Sequence, residues 1–126
     1  MSSIAIGIGA GAICYTAVLV KSKLGYDDSL DAFGIHGIGG TWGALATGLF
    51  ASKAINAAGA DGLFYGNPGQ LGLQALAVLT SWVFVFVGTF VLLKLVDMTM
   101  GLRVSNEEER IGLDLSQHEE RAYSRS

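Results

Sequence analysis

Three long stretches of this 126-residue chain contain no Asp, Glu, Lys or Arg. They cover residues 1–20, 32–52 and 62–93, and only short polar stretches separate them. A helix needs about 20 mainly apolar residues to cross the hydrocarbon layer of a bilayer. Charged residues make up 15% of the chain, against about 25% in an ordinary soluble domain. We therefore predict an all-α membrane protein with three transmembrane helices.

The polar stretches set the expected boundaries of the spans. The predicted parts are a first span at 1–20, a loop at 21–31, a second span at 32–52, a loop at 53–70, a third span at 71–93 and a tail at 94–126. Cytoplasmic segments near span ends carry an excess of Lys and Arg. Near the span ends, the first loop and the tail contain four such residues (Lys21, Lys23, Lys94 and Arg103), whereas the other loop contains only Lys53. We therefore expect the loop at 21–31 and the tail to be cytoplasmic.

The second predicted span contains one ionisable side chain, His36, and six glycines. An ionisable residue within a membrane-length apolar segment is a functional-site hypothesis by default. At helical spacing, the face that carries His36 continues through Gly40, Gly43 and Thr47. Because glycine is a poor helix former, so many glycines indicate close helix approach or a narrow passage beside the helix. The alternative for His36 is a buried ring bonded to a carbonyl of a neighbouring helix.

Three carboxylates, Asp27, Asp28 and Asp31, lie just before this span. Acidic side chains are favourable at the start of a helix, and Asp28 or Ser29 is a suitable N-cap. We therefore interpret the three aspartates as capping and loop-stabilising residues, rather than as part of a conduction path.

Several other functions find no support in the sequence. Cys14 is the only cysteine, so neither a disulfide framework nor a cysteine metal cluster is expected. Gly7, Gly9 and Gly11 superficially resemble a dinucleotide-binding loop, but in an apolar span they indicate helix packing. We expect no metal, no cofactor, no nucleic-acid partner and no enzymatic activity. Trp82, near the middle of the third span, is interpreted as a core residue or as lipid-facing bulk.

The tail combines a helix-start signal with apolar residues. Ser105 and Glu108 have the spacing of a capping box, which predicts a short helix. Ile111, Leu113 and Leu115 then give the segment an apolar side. We therefore expect the tail to dock on another surface.

Two motifs resemble those of one known family. The segment DDSLDAFGIHG at 27–37 is similar to the signature of ammonium transporters, the Amt, methylammonium permease and Rhesus group. In the tail, residues 101–105, 112–118 and 120–123 resemble the cytoplasmic C-terminus of the same family. The resemblance covers essentially the whole chain but only about the last third of the family's length.

This resemblance implies a fold and a function. Family members have eleven spans, assemble as homotrimers in the cell membrane, and have one pore per subunit. This chain would supply the last three spans and the tail. His36 matches the second of two pore histidines that assist the passage of ammonium or ammonia. The first histidine and the outer binding residues would lie in earlier spans. The implied partners are ammonium or ammonia and the membrane lipid.

The resemblance also assigns roles in the tail. Gly112, Asp114, Ser116 and His118 match the segment through which the family tail touches a neighbouring subunit and controls opening. Ser116 matches the position of a regulatory threonine in some plant members, and Glu119 stands where many members have glycine. The cytoplasmic face is also where PII-type signalling proteins dock. An alternative function is a non-transporting membrane module, or a truncated subunit, that joins or modulates transporter trimers.

Overall fold

The computed structural model describes residues 1–121 as two units, Met1–Val83 and a second that begins at Phe84. Every regular element among the described residues is helical, which agrees with the predicted all-α class. The elements are α1 (Ser2–Leu24), a π-helical segment (Phe33–Ile38), α2 (Gly39–Phe50), a 3-10 turn (Leu63–Tyr65), α3 (Pro68–Thr99), α4 (Asn106–Ile111) and α5 (Leu113–His118).

Two of the helices, α1 and α3, are long and apolar enough to cross a membrane. At 1.5 Å per residue they measure about 35 and about 48 Å, against a hydrocarbon layer of about 30 Å. Helix α1 continues through Lys21 and Lys23, which the sequence analysis placed in a loop. It ends at Gly25, whose φ of 68° suits a left-handed C-cap and whose N–H donates to the Lys21 carbonyl.

The middle segment differs from the uniform helix that the sequence predicts. It begins as a π-helical segment and becomes a regular α-helix only at Gly39. The 12 residues of α2 are too few to cross a bilayer alone, so the predicted second span would also require the π-helical segment. Gly34, Gly37 and Gly39 lie in or beside this segment. Because glycine weakens the preference for regular α-helix, these residues favour the wider winding.

Helices α1 and the middle segment approach closely at two glycines. The indole Nε1–H of Trp42 donates to the Ile6 carbonyl at 2.9 Å, and its ring lies over Gly9. A Cβ at Gly9 would lie 2.4 Å from that ring, and a Cβ at Gly39 would lie 2.7 Å from the Cys14 sulfur. Close approach therefore explains these two glycines.

The loop between α2 and α3 packs against the end of α2. A Cβ at Gly48 would lie 2.9 Å from the Cα of Leu71, and the rings of Phe50 and Phe64 meet edge-on at 5.0 Å. Pro68, which lies in the loop predicted at 53–70, instead begins α3. Proline is well suited to the first helical position, because its missing N–H has no helical partner there.

Apolar side chains on α3 remain exposed. Phe84 and Phe86 expose 77% and 74% of their surface, and Ala46 is the only fully buried hydrophobic residue of the described part. An apolar surface of this extent requires a cover of lipid or further protein.

Candidate functional site

His36 lies within the π-helical segment Phe33–Ile38. Its backbone carbonyl accepts a hydrogen bond from the Gly39 N–H, and its side chain is exposed. π-helical turns are rare and occur frequently at functional sites, because the extra residue per turn changes the direction of the side chains that they carry. The structure therefore distinguishes the region of His36 from the regular helix that follows it.

The helix face beyond His36 is open. A Cβ placed at Gly40 or Gly43 would meet nothing within 4 Å among the described residues. Thr47, one turn further, is exposed, and its hydroxyl donates to the Gly43 carbonyl at 2.9 Å. Among the described residues, the imidazole is thus followed by a smooth backbone surface.

Aromatic rings lie at the start of the π-helical segment. The Phe33 ring meets Tyr26 edge-on at 6.4 Å and Trp82 edge-on at 6.0 Å. Edge-to-face pairs at these distances are favourable beyond the area that they bury. Trp82 is therefore a neighbour of the segment that carries His36.

A hydrogen-bond chain joins Trp82 to the same segment. The Trp82 Nε1–H donates to Thr41 Oγ1 at 3.0 Å, and Thr41 Oγ1 donates to the Gly37 carbonyl at 2.8 Å. Gly37 directly follows His36. The chain of bonds therefore runs from α3 to the backbone beside the histidine.

The aspartates stabilise the loop that leads into the segment. Both carboxylate oxygens of Asp28 accept backbone N–H groups, from Ala32 at 2.9 Å and from Phe33 at 3.1 Å. Lys21 donates to the Asp28 carbonyl at 2.8 Å and forms an ion pair with Asp31. Asp31 has a φ of 54°, a left-handed conformation that aspartate tolerates better than most residues. Asp27 is exposed in the same loop.

In the second unit, Gly112 connects α4 and α5 with a φ of 102° and a ψ of 138°. Only glycine adopts this backbone region readily, since a side chain would be strained there. Ser116 Oγ donates to the Gly112 carbonyl at 3.0 Å and lies 3.4 Å from the Glu108 carbonyl, so it ties α5 to α4. Asp114 is half-buried and its carbonyl accepts the Glu120 N–H at 2.9 Å, while His118 is exposed. The predicted match at 120–123 lies partly outside the described residues.

The predicted capping box is present at the start of α4. The Ser105 backbone N–H donates to the Glu108 carboxylate at 2.9 Å, while the Glu108 N–H donates to Ser105 Oγ at 3.3 Å. Gln117 of α5 donates to the same carboxylate at 3.0 Å. The Ser105 hydroxyl also donates to this carboxylate, at 2.7 Å. That bond above all, followed by those from the Ser105 backbone and from Gln117, holds the pKa of Glu108 below its ordinary value.

The capping box should therefore weaken in acid. Because the folded tail favours the charged form of Glu108, its stabilisation is complete above the pKa of an unfolded glutamate, about 4.3. It is lost as the pH falls through the lower pKa of the folded state. We expect hydrogen exchange at the Glu109 and Gly112 amides, corrected for intrinsic rates, to accelerate over this range. Glu108→Gln should abolish the pH dependence and Glu107→Gln should retain it, whereas pH-independent protection in the unaltered protein would contradict the role of Glu108.

Glu119 ends α5 in a left-handed conformation, with a φ of 54°. A side chain costs about 1 kcal/mol in this region, and glycine avoids the cost. We expect Glu119→Gly to slow exchange of the Glu120 amide, which donates to the Asp114 carbonyl. Glu120→Gly, two residues beyond the helix, is the matched control and should not slow exchange within α5. Faster exchange in the Glu119→Gly protein would contradict this explanation.

Together these features define a helical membrane protein with a histidine on an open, glycine-rich helix face. Comparison with known proteins identifies the family. The sequence model of the Ammonium Transporter Family matches residues 1–123. The chain is 55% identical to the ammonium transporter of Bacillus subtilis, over 99% of this chain and 31% of that protein. It is 49% identical to ammonium transporter Amt1 of Archaeoglobus fulgidus, over 97% of this chain and 31% of that protein.

The chain therefore belongs to the ammonium transporter family. A relative in Dictyostelium discoideum, ammonium transporter 1, is 46% identical over 96% of this chain and 26% of its own length. The chain thus spans about a third of the length of these relatives. They are named as transporters, which agrees with the expectation that the chain is not an enzyme.

The structure brings some of the predicted residues together. In the first unit, Asp28 and Asp31 support the loop before His36, and in the second unit Gly112 and Ser116 form one turn. Sequence reasoning missed Trp82, Thr41 and the π-helical winding. One signal was available: the indole N–H of a tryptophan in mid-membrane needs a hydrogen-bond partner, and Thr41 is a candidate.

Proposed function

We propose that this chain supplies the His36-bearing part of the conduction pathway of an ammonium transporter. The observation that carries the proposal is the position of His36, on a π-helical segment followed by the open backbone face of Gly40 and Gly43. In a family whose members are named for ammonium transport, such a face is suited to line a narrow passage.

The chemistry of the imidazole suits this role. An ammonium ion without its water is very costly in an apolar environment, whereas neutral ammonia is much less so. A neutral imidazole offers one donor and one acceptor nitrogen. His36 would therefore hydrogen-bond to ammonia and assist the transfer of its proton, as one member of a histidine pair whose partner lies outside residues 1–126.

The surrounding assembly is proposed on the family resemblance and the distribution of charge. The chain would lie in the cell membrane as a multi-pass protein, as the last three of eleven spans in a homotrimer. The basic residues near the span ends favour a cytoplasmic tail, which is also the side on which a PII-type protein would dock.

The tail would act as a regulatory contact through Gly112, Asp114, Ser116 and His118. Its turn depends on a glycine conformation and on the Ser116 hydroxyl, which donates to the Gly112 carbonyl. A phosphoryl group on Ser116 would remove that donor and add negative charge at this turn. The tail thus contains a local structure that such a modification would disrupt.

The alternative, a non-transporting module that modulates trimers, is less favoured because the matched relatives are named as transporters. A chimera tests the choice. In it, this chain replaces the matching segment of the B. subtilis transporter, in cells without other ammonium carriers. We expect growth on low ammonium to be restored. A chimera that reaches the membrane in normal amount, without restoring growth, would contradict the proposal.

A further inference from the structure

We propose that Trp82 is a positioning residue for His36. Its indole N–H, acting through Thr41, fixes the Gly37 carbonyl beside His36, and its ring fixes Phe33 at the other end of the π-helical segment. The inference rests on the proposed function, because it assigns Trp82 a part in conduction through His36.

The Thr41 hydroxyl acts in this chain both as a donor and as an acceptor. A hydroxyl has one donor hydrogen, which Thr41 gives to the Gly37 carbonyl at 2.8 Å, and its lone pairs accept from Trp82 at 3.0 Å. A threonine that bonds back to the carbonyl four residues earlier often bends its helix. Here that bond spans the junction between the π-helical segment and α2.

The bonds should be firmly maintained in a membrane. An indole N–H without a partner is costly where no water is available. A conformation in which Trp82 loses its bond to Thr41 is therefore higher in free energy. Thr47 and Thr80 make comparable bonds to their own helices, but neither accepts from an indole. Among the described threonines, Thr41 is thus the one that joins the histidine-bearing helix to α3.

The ring contact acts at the start of the same segment. Phe33 precedes His36 by three residues, and its ring meets Trp82 at 6.0 Å with an interplanar angle of 73°. Trp82 therefore contacts the segment on both sides of His36 in the sequence. Since π-helical winding is less regular than α-helical winding, support at two points restricts the directions that the imidazole can take.

The experiment uses the chimera described above, purified into vesicles, with methylammonium as the probe. Trp82→Phe keeps the ring but removes the N–H, Thr41→Val removes the hydroxyl with little change of shape, and Thr41→Ser retains the hydroxyl. We expect Trp82→Phe and Thr41→Val each to lower Vmax per transporter by about tenfold, with KM unchanged. The double variant should be no worse than either single variant, because both remove the same connection.

Thr41→Ser should retain the parental Vmax, and so should Thr80→Val, the matched control that removes a hydroxyl on α3. A purely structural contact would instead lower the thermal stability or the amount of protein and leave Vmax per transporter unchanged. If Trp82→Phe has the parental Vmax in a chimera that transports, Trp82 is not a positioning residue, and the proposed function is unaffected. If the unaltered chimera does not transport, the proposed function fails, and the inference fails with it.

Discussion

Replacement of His36 by alanine in the chimera is expected to reduce methylammonium uptake by about tenfold or more, since a positioned proton-transfer group typically contributes about 100-fold or more. The imidazole supplies both a donor and an acceptor, and an apolar passage offers no water to replace them. Alanine leaves the π-helical segment intact, since the described contacts of this residue are made by its backbone. Initial uptake rates, divided by the amount of transporter in the membrane, measure the effect.

Two further variants sharpen this result. His36→Asp introduces a group that is charged at neutral pH and should change ion selectivity as well as rate. Phe84→Leu replaces an exposed apolar ring on α3 by another apolar side chain and should leave uptake unchanged. Parental uptake in the His36→Ala chimera would exclude the imidazole from the conduction mechanism.

Replacement of Gly112 by alanine should disrupt the turn between α4 and α5, with the second-largest expected effect on uptake. With a φ of 102°, this position lies in a region that costs a non-glycine residue about 1–3 kcal/mol. A Cβ would also lie 2.7 Å from an Asp114 carboxylate oxygen, although that side chain can move away. We therefore expect the backbone of the turn between α4 and α5 to change conformation. If the tail regulates opening through this turn, methylammonium uptake by the chimera should fall severalfold. Exchange at the Ser116 amide, which donates to the Gly112 carbonyl, should accelerate in parallel.

The matched control for this variant is Gly88→Ala. Gly88 lies within α3 with nothing near its Cβ position, and alanine favours a helix by about 1 kcal/mol there. Uptake should therefore be retained. If Gly112→Ala accelerates exchange but leaves uptake unchanged, the tail has no regulatory contact through this turn. If it changes neither, the described conformation of Gly112 is not required.

Sequence patterns predicted the long elements well. Helices α1 and α3 follow from uncharged runs of membrane length, and the capping box at Ser105 and Glu108 follows from a local spacing rule. Such features depend on neighbouring residues or on bulk hydropathy, which the sequence displays directly. The sequence predicted that Gly9 lies at a contact between helices, but it did not identify Trp42 as the contacting residue.

The π-helical segment and the Trp82–Thr41 bond could not be predicted in the same way. A periodicity pattern assumes a regular helix, whereas the winding at Phe33–Ile38 depends on glycine content and on contacts with Asp28, Thr41 and Trp82. Trp82 lies far from Thr41 in sequence, so only the folded arrangement of α2 and α3 reveals the contact. The proposed role of His36 came from the family motif, and the structure adds the contacts around the segment that carries it.

The most direct test of the proposed function is the flux of methylammonium into vesicles that contain the purified chimera. We predict that the chimera with this chain transports at a rate close to that of the intact B. subtilis protein, and that His36→Ala lowers the rate by about tenfold or more. A chimera that is stable and fully incorporated, yet gives the same flux as protein-free vesicles, would contradict the assignment of this chain to an ammonium pathway.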